Sequence, residues 1–324
     1  MTMRELARLA NVSVSTVSKA FGGAEDISEE TRDHVFRIAK QNGCFGRFSK
    51  SRFQKQVIAL ICPELSGDFY NLFVERLQRF IENNGGIAVV SACHFDPDRQ
   101  EELIDYYASY LNVDGILVCS LAKPLKRGYD VPIVSLFSSV DPSVDQVRVD
   151  LSAPMEEAIR ALYGLGHRSI AFLGERLTTG KAEIFELTCA GYRDLNARAL
   201  TTEERFERAG EACVCELLAS GSDATAIVCA YDNIAIGAIR ELKRRGYSVP
   251  EDYSVIGIDN INVSGYMETT LSSIDTDPDE ICITAWELIC RKQENKYYRS
   301  NREITVRGRL ILRESVGSPR SAKV

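Results

Sequence analysis

Asn11-Val12-Ser13-Val14-Ser15-Thr16-Val17-Ser18-Lys19 decides how the rest of this chain is read. Asn11 tolerates left-handed backbone and suits a tight turn. Ser13 can then cap a helix on which Val17 and Phe21, four apart, share the inward face. Val14, Ser15, Ser18 and Lys19 are left outside. That outer face is short, polar and basic. Small side chains let a helix sit deep in the major groove, where a lysine donates to guanine acceptors, a serine reaches a base edge and valine methyls touch thymine. Upstream, Thr2 and Glu5 have capping-box spacing, so a first helix begins at Met3 with Leu6, Leu9 and Ala10 on its apolar face. Downstream, Ser28 caps a third helix from Glu29 to Asn42, in which Val35, Ile38 and Ala39 complete a small core before Gly43 stops it. The opening of the chain therefore reads as an all-α, three-helix helix-turn-helix head.

Charge supports the division. The chain of 324 residues carries a net charge of −7, but residues 1–56 hold ten Lys/Arg against six Asp/Glu, while the remaining 268 hold 29 against 40. A basic head of +4 on an acidic body of −11 favours docking on nucleic acid in one orientation. The ten cysteines lack paired metal-ligand spacing, since Cys213-x-Cys215 is too close for zinc. They read as reduced core residues, and neither a metal nor a cofactor is expected. With no export signal and no apolar run near the roughly twenty residues a membrane helix needs, the expectation is a cytoplasmic protein without a membrane partner.

After the head comes Arg47-Phe48-Ser49-Lys50-Ser51-Arg52-Phe53-Gln54-Lys55-Gln56, where four positive charges and two aromatics precede the first strong strand. From Val57 onward, apolar runs of strand length alternate with amphipathic helices, the mark of open parallel sheets flanked by helices. The runs are 57–62, 87–91, 115–119, 133–137, 170–174, 226–229 and 255–258. The helices between them are read at 71–83, 98–111, 155–165, 185–197, 209–219, 234–245 and 280–291. So long an alternation divides into two doubly wound lobes.

Three stretches, Thr2-Met3-Arg4-Glu5-Leu6-Ala7, Val12 to Lys19 and Ile27-Ser28-Glu29-Glu30-Thr31-Arg32, resemble the head of the lac and purine repressor family. Leu165-Gly166-His167-Arg168-Ser169-Ile170 and Val249-Pro250-Glu251-Asp252-Tyr253-Ser254-Val255-Ile256-Gly257-Ile258-Asp259 extend the resemblance through the body. It implies a transcriptional regulator, most often a repressor, that binds an operator in double-stranded DNA as a homodimer under the control of a small-molecule effector. By the same resemblance Val14, Ser15 and Lys19 read bases, while Ser13, Thr16 and Ser18 hold phosphates. The linker becomes a hinge, with Phe53 as a minor-groove wedge beside Lys50 and Arg52, an apolar insertion that unstacks and kinks a base step. The implied organisation is a head at 1–46, a hinge at 47–56 and a periplasmic-binding-protein-like body at 57–324. Its lobes comprise about 57–150 with 277–294, and about 151–276 with 303–316. Relative to the family, residues 195–209 are short, so one peripheral strand is expected to be absent.

Ligands of open α/β lobes bind beyond the carboxyl ends of the strands. That rule selects Phe69, Ser120, Phe137, Ser138, Asp232 and Asp259, with helix capping as the competing role of Asp232. The resemblance supports Phe69 and Asp259. It also exposes departures: Thr188 replaces a frequent arginine, Tyr231 a frequent asparagine, and Phe137-Ser138 a frequent Asp-Arg pair. These point to a less polar or bulkier effector that is not phosphorylated, the alternative being a regulator that senses no small molecule there or is controlled by a protein partner. The helix at 71–83, with Leu72, Phe73, Leu77 and Phe80, carries more apolar residues than an inward stripe needs and is a candidate dimer surface. An enzyme built on the same core would need a glycine-rich phosphate loop or a serine elbow, and neither motif occurs.

Overall fold

The structure, a computed structural model, describes the chain apart from residues 25, 46, 47, 49–54, 112, 295–300 and 321–324. In chain order the elements are α1 (Met3–Leu9), α2 (Val14–Gly22), α3 (Glu29–Gln41), β1 (Val57–Cys62), α4 (Asp68–Asn83), β2 (Ile87–Ala92) and α5 (Pro97–Asp105). A π-helical turn, Tyr106–Leu111, continues α5, and β3 (Gly115–Leu121), β4 (Ile133–Ser139), β5 (Asp145–Asp150) and α6 (Ser152–Gly164) follow. Next come β6 (Ser169–Glu175), α7 (Thr179–Cys189), β7 (Asn196–Thr202), α8 (Glu207–Ala219), β8 (Ala226–Cys229), α9 (Asp232–Arg244) and β9 (Ser254–Ile258). The chain closes with β10 (Ser272–Asp275), α10 (Pro278–Glu294), β11 (Glu303–Arg307) and β12 (Arg309–Ile311).

Two compact units are formed, each from separated stretches: Met1–Leu65 with Phe73–Val147 and Ile281–Ile304, and Ser66–Leu72 with Arg148–Glu280 and Thr305–Val324. One sheet has the order β11-β5-β4-β3-β1-β2 and the other β12-β10-β9-β8-β6-β7. Strands β1 to β5 pair in parallel, as do β6 to β10, and β12 closes the second sheet antiparallel to β10. Helices over both faces explain why every residue of β6 is buried and why central strands read as continuous apolar runs.

The seven apolar runs all become strands, and β5, β7, β10, β11 and β12 are additional to them. Strand β7 corrects the expectation of a missing peripheral strand: Asn196–Thr202 pairs with β6 along its whole length. It is an edge strand with a largely exposed, alternating surface, so it lacks the apolar run that marks a central strand. Helix α7 ends at Cys189 and not at residue 197, because Gly191 and Tyr192 turn back onto the last carbonyls of the helix. On α4, Phe73 and Leu77 are buried in their own unit, and Phe80 meets Trp286 edge-on at 6.4 Å. Part of the apolar excess read there as a dimer surface is therefore spent within the unit.

Two glycines set the closest helix approach of the second unit. A Cβ at Gly210 would lie 2.0 Å from the Ile234 carbonyl oxygen, and one at Gly237 would lie 1.9 Å from that of Glu207. Helices α8 and α9 touch backbone to backbone because neither position carries a side chain. All ten cysteines are free, and burial pushes the thiols of Cys62 and Cys213 up to about 11. The eight buried ones pack as small apolar residues, while Cys215 and Cys290 are half-buried. No described helix is long and apolar enough to cross a membrane.

Candidate nucleic-acid interface and strand-end sites

The head is built from local hydrogen bonds. Glu5 N–H donates to Thr2 Oγ1 at 3.3 Å and Thr2 N–H to Glu5 Oε2 at 2.7 Å, closing the capping box of α1. Asn11 takes a left-handed φ of 51°, turning the chain into Ser13, whose Oγ accepts the Thr16 N–H at 2.9 Å. Gly23, with φ of 74°, ends α2, and Ser28 Oγ caps α3 by accepting the Thr31 N–H at 3.2 Å.

Beneath this frame Leu6, Ala7, Ala10, Val17, Ala20, Phe21, Val35 and Ala39 form a buried core. Leu9 is a correction: it is 48% exposed, and Ala7 takes the inward place. Phe48 also belongs to this core, 5.5 Å from the Phe21 ring, so the head extends past the boundary read at residue 46. With Val17, Ala20 and Phe21 turned inward, α2 presents Val14, Ser15, Ser18 and Lys19 to solvent, and Ser13 is exposed at its start. Thr16 is half-buried and shares a hydrogen bond with Ser13 Oγ. A polar helix face with its N-terminus open and a cation in its last turn can enter a major groove and contact phosphates at its start. The hinge candidates Lys50, Arg52 and Phe53 lie outside the described residues.

In the first unit, Ser120 and Phe137 both have left-handed backbone, with φ of 60° and 71°. The β3–β4 register breaks between Cys119 and Leu121, around Ser120. The Phe137 ring packs on Phe73 at 5.1 Å, Ser138 is exposed, and its carbonyl accepts from Ser135 Oγ at 2.6 Å. Such backbone at strand ends concentrates where side chains must be aimed away from a ladder.

The second unit holds a denser cluster. Tyr231 donates its hydroxyl proton to Glu175 Oε2 at 2.6 Å and accepts the Phe206 N–H at 3.2 Å. Burial and the buried Glu175 carboxylate raise its pKa far above the ordinary phenol value. Arg205 Nε stands 3.5 Å from Glu175 Oε1. Asp259, with φ of 97°, is nearly buried, and burial raises its pKa although Lys181 Nζ lies 3.9 Å away. The same ammonium donates to the Ala230 carbonyl at 2.7 Å. Phe69 is half-buried and meets Tyr70 at 5.3 Å.

Two effector candidates are engaged within the fold. Asp232 is fully buried and makes no side-chain cap of α9. Its Oδ1 accepts from Ser273 Oγ at 2.6 Å, and its Oδ2 from Ser264 Oγ at 2.6 Å and from the Ile261 N–H at 2.9 Å. A Cβ on Gly257 would meet Oδ1 at 2.0 Å, so this strut requires glycine there. Thr188 returns its hydroxyl proton to the Ile184 carbonyl at 2.7 Å within its own helix, which occupies its only donor. Glu175, Lys181 and Arg205 escaped the sequence reading. Applied to the last residue of β6 and the first turn of α7, the strand-end rule finds Glu175 and Lys181; nothing local marks Arg205.

Residues 2–43 match the model of the bacterial regulatory proteins of the lacI family, and residues 159–316 that of a periplasmic binding protein-like domain. The chain is 25% identical to the ribose operon repressor of Haemophilus influenzae over 336 residues, covering 98% of this chain and 99% of that protein. It shares its fold with the lac repressor dimer solved bound to operator and the anti-inducer ONPF, at a TM-score of 0.72 and 18% identity over 98% of this chain and 99% of that one. A LacI family transcriptional regulator of Enterococcus faecium, solved with bound ribose, aligns at a TM-score of 0.69 and 23% identity over 81% of this chain and 99% of that one.

Proposed function

Because the chain belongs to the lacI family of bacterial regulatory proteins, we propose that it is a transcriptional repressor that binds a pseudo-palindromic operator as a homodimer. The observation that carries this reading is the exposed α2 face of Val14, Ser15, Ser18 and Lys19, held rigid by the capped ends and by the Phe21 core behind it. Val14, Ser15 and Lys19 take the base edges; Ser13, Thr16 and Ser18 take phosphates. One head reads few bases. Two heads related by a two-fold axis read two half-sites and multiply the discrimination.

In this reading the head, extended to Phe48, carries the recognition surface, the residues after it up to 56 form the hinge with Lys50, Arg52 and Phe53 at the minor groove, and 57–324 sense a small molecule. The sensing residues are Phe69, Ser120, Phe137, Ser138, Tyr231 and Asp259. A ligand that binds one arrangement of the body better than another changes DNA affinity by that difference. The protein acts where chromosomal DNA lies, in the cytoplasm.

Selection of bound sequences from random DNA by the full-length protein, at two salt concentrations, tests the proposal. Enrichment of a palindrome at both is expected. Binding with no sequence preference that collapses at the higher salt would sink it. The effector is then sought by the shift each candidate causes in operator affinity, with less polar or bulkier metabolites tested beside ribose.

A further inference from the structure

Asp26 lies between α2 and α3, seven residues after Lys19, and its Oδ2 accepts a charge-assisted hydrogen bond from Lys19 Nζ. The two side chains are 49% and 61% exposed, so the pair is no core strut, and a surface ion pair of this kind adds little to stability. The Lys19 hydrogen bond holds the Asp26 carboxyl below the usual carboxylate range, which keeps it ionised at neutral pH. A carboxylate that shares the surface of a base-reading lysine repels phosphates. It lowers affinity unless it meets a donor, and the base donors in the major groove are cytosine N4 and adenine N6.

We propose that Lys19 and Asp26 act together as the reader of one G·C pair in each half-site, with Asp26 as a specificity-determining residue. An ammonium has three protons. One stays on Asp26 Oδ2, leaving two for guanine O6 and N7, while Asp26 Oδ1 accepts from N4 of the paired cytosine. The pair thus matches the acceptor, acceptor, donor row that G·C presents across the groove. An A·T pair in that orientation sets thymine O4 against the carboxylate, and a C·G pair turns its amino group toward the ammonium. Discrimination comes from these repulsions as much as from the contacts made. The inference rests on the DNA-binding reading above and names which base pair Lys19 reads and how.

The test is selection from a library randomised across the half-site, using full-length wild type, Asp26→Asn, Asp26→Glu, Lys19→Met and the Lys19→Met/Asp26→Asn double variant. Asp26→Asn is expected to lower the preference for G·C at one symmetric position roughly tenfold. It should also strengthen non-specific binding and steepen the log–log salt dependence by about one. Asp26→Glu should keep the preference. Lys19→Met should lose it, and adding Asp26→Asn should change it no further. An Asp26→Asn protein that keeps the wild-type base profile overturns the proposal, and so does an additive double variant. If the wild type itself enriches no palindrome, the DNA-binding reading falls, and this inference with it.

Discussion

The head and the strand ends of the second unit both gather polar side chains, but they hold them in opposite ways. In the head, Thr2 with Glu5, Ser13 with Thr16 and Ser28 with Thr31 are bonded within three residues of one another, while Val14, Ser15 and Lys19 point to solvent over a separate apolar core. In the second unit, Asp232 reaches Ser273 across 41 positions, Tyr231 reaches Glu175 across 56, and these groups are buried or half-buried. A head built this way can change what it reads without changing whether it folds. A site built from long-range buried bonds cannot separate the two so cleanly.

The hardest blow to this contrast is Phe21→Ala. Phe21 is buried against Phe36, Phe45 and Phe48 at ring distances of 5.0, 5.6 and 5.5 Å. Its truncation costs about 3–5 kcal/mol, a large part of what so small a core supplies. Calorimetry should show specific DNA binding abolished while the main unfolding transition of the body stays in place. A body transition that falls by the same amount would mean that the head is no independent unit.

Lys19→Met comes next and strikes reading without folding. Loss of the guanine contacts proposed for it should weaken operator binding by about 1–3 kcal/mol per half-site, with the melting profile unchanged because its side chain is half exposed. A lowered melting temperature would erase the distinction drawn here.

Why one site was legible and the other only partly so follows from the same difference. Caps and turns are contiguous, so Thr2, Glu5, Asn11, Ser13 and Ser28 announce their roles in the order of the chain. Leu9 misled because α1 is short enough that Leu6, Ala7 and Ala10 already fill its inward face. In the body, the helix-strand alternation displayed the central strands, whereas β7 and β12, at sheet edges, carry half-exposed residues that resemble loops. Asp232 shows the limit most clearly. A carboxylate just after a strand is where ligand contacts occur, yet Ser264, from the turn after β9, and Ser273, from β10, consume it. Left-handed backbone at Ser120, Phe137 and Asp259 is likewise imposed by their tertiary setting and leaves no mark on residue choice.

Asp232 also turns the contrast into a pH experiment. Burial raises its carboxyl from 3.8 to about 7, so between those values the folded state holds a proton that the unfolded chain has released. This contribution to stability is complete below about pH 4 and is lost as pH rises through 7. The body of the wild type should therefore lose melting temperature from pH 5 to pH 8 more steeply than Asp232→Asn, which cannot ionise. Equal slopes would show that the bonds from Ser264, Ser273 and Ile261 offset the burial.

Tyr231→Phe gives the smallest and sharpest of these effects. It keeps the ring, so the edge-to-face contact with Phe206 at a centroid distance of 6.2 Å survives, and removes only the hydroxyl between Glu175 and the Phe206 N–H. The net loss of such hydrogen bonds is about 1 kcal/mol, and more where Glu175 is left buried with one partner fewer. DNA binding without ligand should be unchanged, since nothing in the head is touched. If Tyr231 is purely a strut, ligand affinity follows stability and hardly moves. If its hydroxyl also faces the ligand, a binding titration shows a loss several times larger than the change in melting predicts, and that excess measures how much of the buried network serves recognition and how much serves the fold.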